Sequence, residues 1–167
     1  MSGRNRIPLM VYLNGEFGRS NFSLHEFESR DGTVVVHSLL LQGLQLIRNE
    51  LGRLYDANVP IIVNSGTRSE ADNIELAGRL GWIDEGGVVS KDSKHLPKWG
   101  GIAADIRSGR MTTTRMLGLD LSEAFVVPVA KIGEVARTIF PYVNDSYRNH
   151  VHVDCLDRQT GRVELLC

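Results

Sequence analysis

The chain carries only two cysteines, Cys155 and Cys167, among its 167 residues. Two are too few for a disulfide framework, and they do not form the Cys-x-x-Cys pair of a zinc knuckle or a dithiol redox centre, so both read as small hydrophobes. Long apolar runs are also missing. No stretch approaches the ~20 apolar residues of a membrane span. The N-terminal run in MSGRNRIPLMVYLNGEFG is broken by Asn14, Gly15 and Glu16 before it reaches the length of a signal-peptide core. Neither a membrane partner nor an export address is expected, so synthesis is expected in the cytoplasm. An excess of either charge is absent as well. Lys and Arg number 19 against 20 Asp and Glu, for a net charge of -1, which gives no general pull toward nucleic acid or anionic lipid.

What is present describes one globular domain. The length suits a single core, and 42% apolar with 23% charged residues is an ordinary balance. Leu40, Leu44, Ile47, Leu51 and Leu54 recur at helical spacing and predict a helix from about Val36 to Tyr55. Pro60 to Val63 reads as a short strand running into the turn-prone Asn64-Ser65-Gly66. Ser69 caps a predicted helix from Glu70 to Leu80, with Ala71, Ile74, Ala77 and Leu80 inward and Gly81 ending it. Trp82 to Gly101 reads as a long loop of the kind that carries function. Gly101 to Ile106 reads as a strand of small residues, Pro128 to Phe140 as a third helix, and the C-terminal HVHVD, DRQTGR and VELL as a β-hairpin. Segregated helices and antiparallel strands give an α+β class, a small antiparallel sheet flanked by helices. Residues 1–21 are read as an N-terminal extension and 22–167 as the domain.

Chemistry concentrates in two segments. In Asn149-His150-Val151-His152-Val153-Asp154, strand alternation puts His150, His152 and Asp154 on one face and the two valines on the other. Alone, such a pair of histidines is as often solvated as functional. Ser93 to Asp105 adds a loop histidine, His95, and a strand carboxylate, Asp105, with glycines and alanines leaving room around it. Two imidazoles and a carboxylate from separate segments are three protein ligands with a fourth position open, the pattern of a catalytic zinc. Hydrolysis is the reaction such a site suits.

These residues resemble the zinc D-Ala-D-Ala carboxypeptidase family, the peptidoglycan metallopeptidases that include D-alanyl-D-alanine dipeptidases and several phage endolysins. The family pattern S-x-H-x-x-G-x-A-x-D is similar to Ser93, His95, Gly101, Ala103 and Asp105, and its later H-x-H to His150 and His152. Ser65-Gly66-Thr67-Arg68-Ser69 resembles an upstream S-G-x-R-S, and Phe22 to Phe27 also resembles members of the group. Three motifs in the right order are specific where one would be weak. The resemblance implies a hedgehog/D-Ala-D-Ala peptidase-like fold, Zn2+ held by His95, Asp105 and His152, and Arg68 gripping a substrate carboxylate or developing oxyanion with Ser93 beside it in substrate binding. It places His150 next to the metal. Peptidoglycan stem or cross-link peptides are the implied partners, reached after phage-type release or virion delivery.

Two departures from the family stand out. The family usually has two residues between the motif's His and Gly, and here Leu96 to Gly100 make five. Many members carry Glu or Asp as general base three positions before the last ligand, and here that position is Asn149, which cannot take and return a proton at neutral pH. Asp145 and His150 are the first candidates to replace it. Asp154 ranks behind them, and it could instead orient a ligand histidine through the second ring nitrogen. The competing reading is a non-catalytic zinc-containing binding or virion structural module. A metal-dependent nuclease is disfavoured, for no basic stripe is available to hold phosphates.

Overall fold

The structure is a computed structural model that describes residues 7–111 and 125–167. Among those residues the class is α+β, with three helices and two small antiparallel sheets. Among the described residues, no helix is long and apolar enough to cross a membrane.

The expected N-terminal extension, whose residues 1–6 lie outside the described residues, begins with a hairpin. Strands β1 (Pro8–Leu13) and β2 (Glu16–Ser23) pair antiparallel around Asn14-Gly15. Both turn residues have positive φ, 53° and 84°, the left-handed conformation that a two-residue hairpin turn requires and that Asn-Gly supplies. One face of the hairpin joins the core through Val11 and Phe22. A boundary at residues 21 and 22 therefore cuts through β2, and the hairpin belongs to the domain.

Helix α1 (Ser38–Tyr55) buries the predicted stripe, with Leu40, Leu44, Ile47 and Leu51 fully enclosed. Its N-cap is His37, whose Nδ1 accepts from the Leu39 amide at 3.2 Å. Helix α3 (Val129–Ala136) is shorter than predicted, because the chain tightens into turns after Arg137. It sets Ile132, Val135 and Ala136 against the same core.

The main sheet has the order β3-β4-β6-β5, all antiparallel, from β3 (Ile61–Ser65), β4 (Ala103–Ser108), β5 (Tyr142–Asn144) and β6 (Val151–Asp154). Ala104, Ile106, Val151 and Val153 are buried on its core face. The expected C-terminal hairpin is only partly formed. After β6 the chain reverses, but its return makes just an isolated bridge between Leu156 and Val163. The second partner of β6 is β5, a three-residue strand too short to stand out as a pattern.

Helix α2 (Glu70–Leu80) has the predicted bounds and the Ser69 cap, whose side chain accepts from Asp72 N at 3.1 Å. Its predicted inward face is corrected: Ala71, Ile74 and Leu80 are exposed, and the buried residues are Asn73 and Ala77. The helix lies over the loop that follows rather than over the main core, and the Asn73 amide donates to the Ser90 carbonyl at 3.0 Å. That loop is held by its own contacts. Lys94 Nζ sits 3.4 Å from the Trp99 ring centre, and Asp92 pairs with both Lys94 and Lys98.

Candidate metal centre

Cross-strand register brings the first two groups together. Asp105 on β4 is directly opposite His152 on β6, so their side chains rise from the same face of the sheet with Cβ atoms about 5 Å apart. His152 Nδ1 lies 2.9 Å from Asp105 Oδ1. The third group arrives from the loop. His95 is fixed in both directions against the segment after β3, its Nδ1 donating to the Gly66 carbonyl at 2.7 Å and its own carbonyl accepting from Arg68 N at 2.9 Å. Gly66 has no room for a side chain, since a Cβ there would stand 2.7 Å from the Phe27 Cα. The stretch between His95 and Gly101 contains a 3-10 turn, Pro97–Trp99, closed by left-handed Gly100. Gly101 then passes so close to the Val35 carbonyl that a Cβ would overlap it.

The result is a triangle of lone pairs. His95 Nε2 is 3.2 Å from His152 Nδ1 and 3.3 Å from Asp105 Oδ1, and the third edge is the 2.9 Å already given. Around a tetrahedral zinc with bonds of about 2.0–2.1 Å, neighbouring ligand atoms are about 3.3 Å apart, so the three atoms outline one face of such a tetrahedron. The remaining ring nitrogens are already committed: His95 Nδ1 to Gly66, and His152 Nε2 to Asp154 Oδ2 at 3.2 Å. With those protons anchored outward, the inner nitrogens present lone pairs to a carboxylate. Three acceptors facing one another call for a cation between them. His95, Asp105 and His152 are accordingly a group that can hold a metal ion.

The electrostatics agree. Burial acts against charge on Asp105, but the two imidazoles outweigh it and hold the carboxyl far below the ordinary carboxylate range. Burial likewise lowers His152, and its hydrogen bonds to Asp105 and Asp154 override that, raising it to about 9. In both cases the surroundings favour a positive charge at the triangle, which without metal is a proton on His152 and which a bound cation replaces.

Asp154 orients the ligand rather than joining it. Fully buried, it accepts from His152 Nε2, from the Leu156 amide at 3.0 Å and from Arg158 at 2.6 Å. Arg158 in turn lies 4.4 Å over the Tyr142 ring, which meets His152 edge-on. Asp154→Asn should keep metal binding but lower its affinity ~10–100-fold, the usual result of losing an outer hydrogen-bond partner, measured by competition with a chromophoric chelator. Unchanged affinity would reduce the Asp154 contact to packing.

The other expected residues divide. Arg68 is beside the triangle, its NH2 3.9 Å from Asp105 Oδ2, and its NH1 is within 3.3 Å of Asn73 Oδ1 and 3.4 Å of Ser93 Oγ. Burial depresses its pKa, opposed by Asp105, Asp72 and Tyr147, and a guanidinium stays charged through such a shift. Its two hydrogen-bond partners, Asn73 and Ser93, are uncharged, which leaves donors for an anionic group. Ser93 is itself buried and supports Arg68 and the His95 amide rather than standing open to a ligand. Arg68 also borders a cleft of ≈ 310 Å³ against α2 that none of the three ligand residues lines.

His150 lies just before β6, half-exposed, with its ring stacked on Tyr147 and its Nδ1 2.8 Å from Asn149 Oδ1. That contact places the proton on Nδ1 and leaves Nε2 free to accept one. Burial, the largest influence, lowers its pKa, with Asp105 acting in the opposite direction. The neutral imidazole is favoured. Asp145 is drawn elsewhere. It follows Asn144, which is opposite His152, so strand alternation turns Asp145 to the helix side, where it packs over Gly133 of α3 and pairs with Arg137.

Asn73, Arg158, Tyr142 and Tyr147 were not legible as site residues. The first is a polar residue inside an amphipathic helix, Arg158 reaches back to Asp154 from the turn after β6, and the two tyrosines acquire their neighbours through the β5–β6 register and the turn between these strands. No protein-family model matches the chain, and no curated protein or solved structure matches it.

Proposed function

We propose that this chain is a zinc metallopeptidase that hydrolyses peptide bonds of bacterial peptidoglycan, with a hedgehog/D-Ala-D-Ala peptidase-like fold. The observation that carries the reading is the triangle of His95 Nε2, Asp105 Oδ1 and His152 Nδ1, with edges of 2.9–3.3 Å and the outer nitrogens anchored. It has the ligand types and spacing of a three-ligand zinc site with one side open, which is the catalytic rather than the structural arrangement. The motif order Ser65 to Ser69, Ser93 to Asp105 and His150-x-His152 supports the substrate class.

Bound zinc supplies Lewis acidity toward an incoming water and a substrate carbonyl. The protein's own residues supply the rest. Arg68, held by Asn73 and Ser93, is a fork-shaped donor for a substrate carboxylate or for the carbonyl oxygen as it gains charge. His150 Nε2 takes the water's proton, and Asn149 fixes the tautomer that leaves this nitrogen unprotonated. The asparagine at the family's base position thus becomes a positioning residue for a neighbouring base.

Mass spectrometry of purified peptidoglycan after digestion tests the reading. Zinc-loaded protein should release fragments that differ by hydrolysis of one kind of peptide bond, chelator should stop the release, and added zinc should restore it. A zinc-loaded protein that releases nothing from peptidoglycans of several chemistries would make the non-catalytic module the better account.

A further inference from the structure

The turn between β5 and β6 carries a side chain for which the site so far has no use. Tyr147 is 42% exposed. Its ring lies almost parallel to that of His150, with centroids 4.3 Å apart and planes inclined by 17°. His150 shares the parity of His152, so the stack stands on the ligand face of the sheet at its open margin. Burial raises the phenol pKa and Asp105 adds to the rise, so at neutral pH the group is a protonated hydrogen-bond donor. A half-exposed ring held by stacking on His150, at the margin of the face that carries Asp105 and His152, is placed to meet a ligand.

We propose that Tyr147 is a further catalytic residue, whose hydroxyl donates a hydrogen bond to the scissile carbonyl oxygen as negative charge develops there, alongside Arg68. This rests on the metallopeptidase reading above. In the addition step the water oxygen bonds to the carbonyl carbon, the carbonyl π pair moves onto oxygen, and the water's proton passes to His150 Nε2. Tyr147 keeps its proton throughout. The C–N bond then breaks, and the proton on His150 goes to the departing amine nitrogen. A donor aimed at the oxygen contributes only as charge builds, so it acts on turnover more than on binding.

The test compares wild type, Tyr147→Phe and Tyr147→Leu, reading kcat and KM from amine release on purified peptidoglycan, with zinc content measured alongside. Phenylalanine keeps the stacked ring and removes only the hydroxyl. Tyr147→Phe should lose ~10²-fold in kcat, the lower end for one oxyanion donor, with KM within about twofold and zinc unchanged. Tyr147→Leu should lose at least as much. A Tyr147→Phe enzyme with wild-type kcat would overturn the inference, whether or not the leucine variant is impaired, since the ring alone would then be the working part. A raised KM at unchanged kcat would overturn it equally. Failure of the underlying reading has a different signature, for in that case the zinc-loaded wild type itself releases no amine and the inference falls with it.

Discussion

If the chain is the zinc metallopeptidase proposed above, Asp105→Ala should abolish stoichiometric zinc binding and, with it, all wall hydrolysis, while the domain still folds. His95→Ala and His152→Ala should behave alike. Each removes one corner of a triangle whose edges are 2.9–3.3 Å, and two remaining ligands do not define a tetrahedral site. The loss should exceed the ~10–100-fold of an outer-partner change, so Asp154→Asn serves as an internal scale. The fold is expected to survive because the ligands stand on the face of the sheet away from the core, whose packing comes from Ala104, Ile106, Val151 and Val153. Metal analysis of the purified proteins checks the first claim. A thermal shift checks it independently, since a metal that binds only the folded chain raises its melting temperature. Zinc should stabilise wild type and leave the three variants unmoved. One equivalent of tightly held zinc in the Asp105 variant would remove the triangle from the mechanism.

How far the sequence shows this centre depends on the kind of signal involved. Alternation along a strand is local, and it places His152 and Asp154 correctly on one face. Spacing and residue type name His95 and Asp105 as well. What spacing cannot supply is register. Asp105 meets His152 because β4 and β6 pair with those two residues opposed, and a shift by one residue would turn one of them to the core. Helix bounds are legible where caps are local, as at Ser69. The buried face of α2 is not, because apolar periodicity reports amphipathicity without saying which surface a helix covers. Here the helix covers a polar loop, and Asn73 is the residue that buries. The N-terminal hairpin had a usable signal in Asn14-Gly15 between alternating segments. Reading the segment only for its apolar length passes over it.

The same parity reasoning separates the two candidates for the base, and it sets the second large effect. His150→Gln should lower turnover by ~10²–10⁴-fold, the range for removing a general acid or base, with zinc content unchanged. Asp145→Asn should leave turnover near wild type. The two side chains are close in sequence and differ in direction. His150 stands on the ligand side, with Nδ1 engaged by Asn149 Oδ1 and Nε2 free. Asp145 is turned to α3, where it is paired with Arg137, and that guanidinium holds its carboxyl below the ordinary range. A lowered pKa makes a poor proton acceptor at neutral pH, and reaching the triangle would mean breaking the ion pair. Glutamine at 150 keeps polarity and approximate reach but cannot cycle a proton, so a loss at constant zinc would read on basicity rather than on assembly of the site. Amine release from peptidoglycan, measured for both variants in one preparation of substrate, decides between them. If Asp145→Asn were the silent enzyme and His150→Gln the active one, the turn between β5 and β6 would have to rearrange when substrate binds, carrying Asp145 off Arg137 and over to the metal.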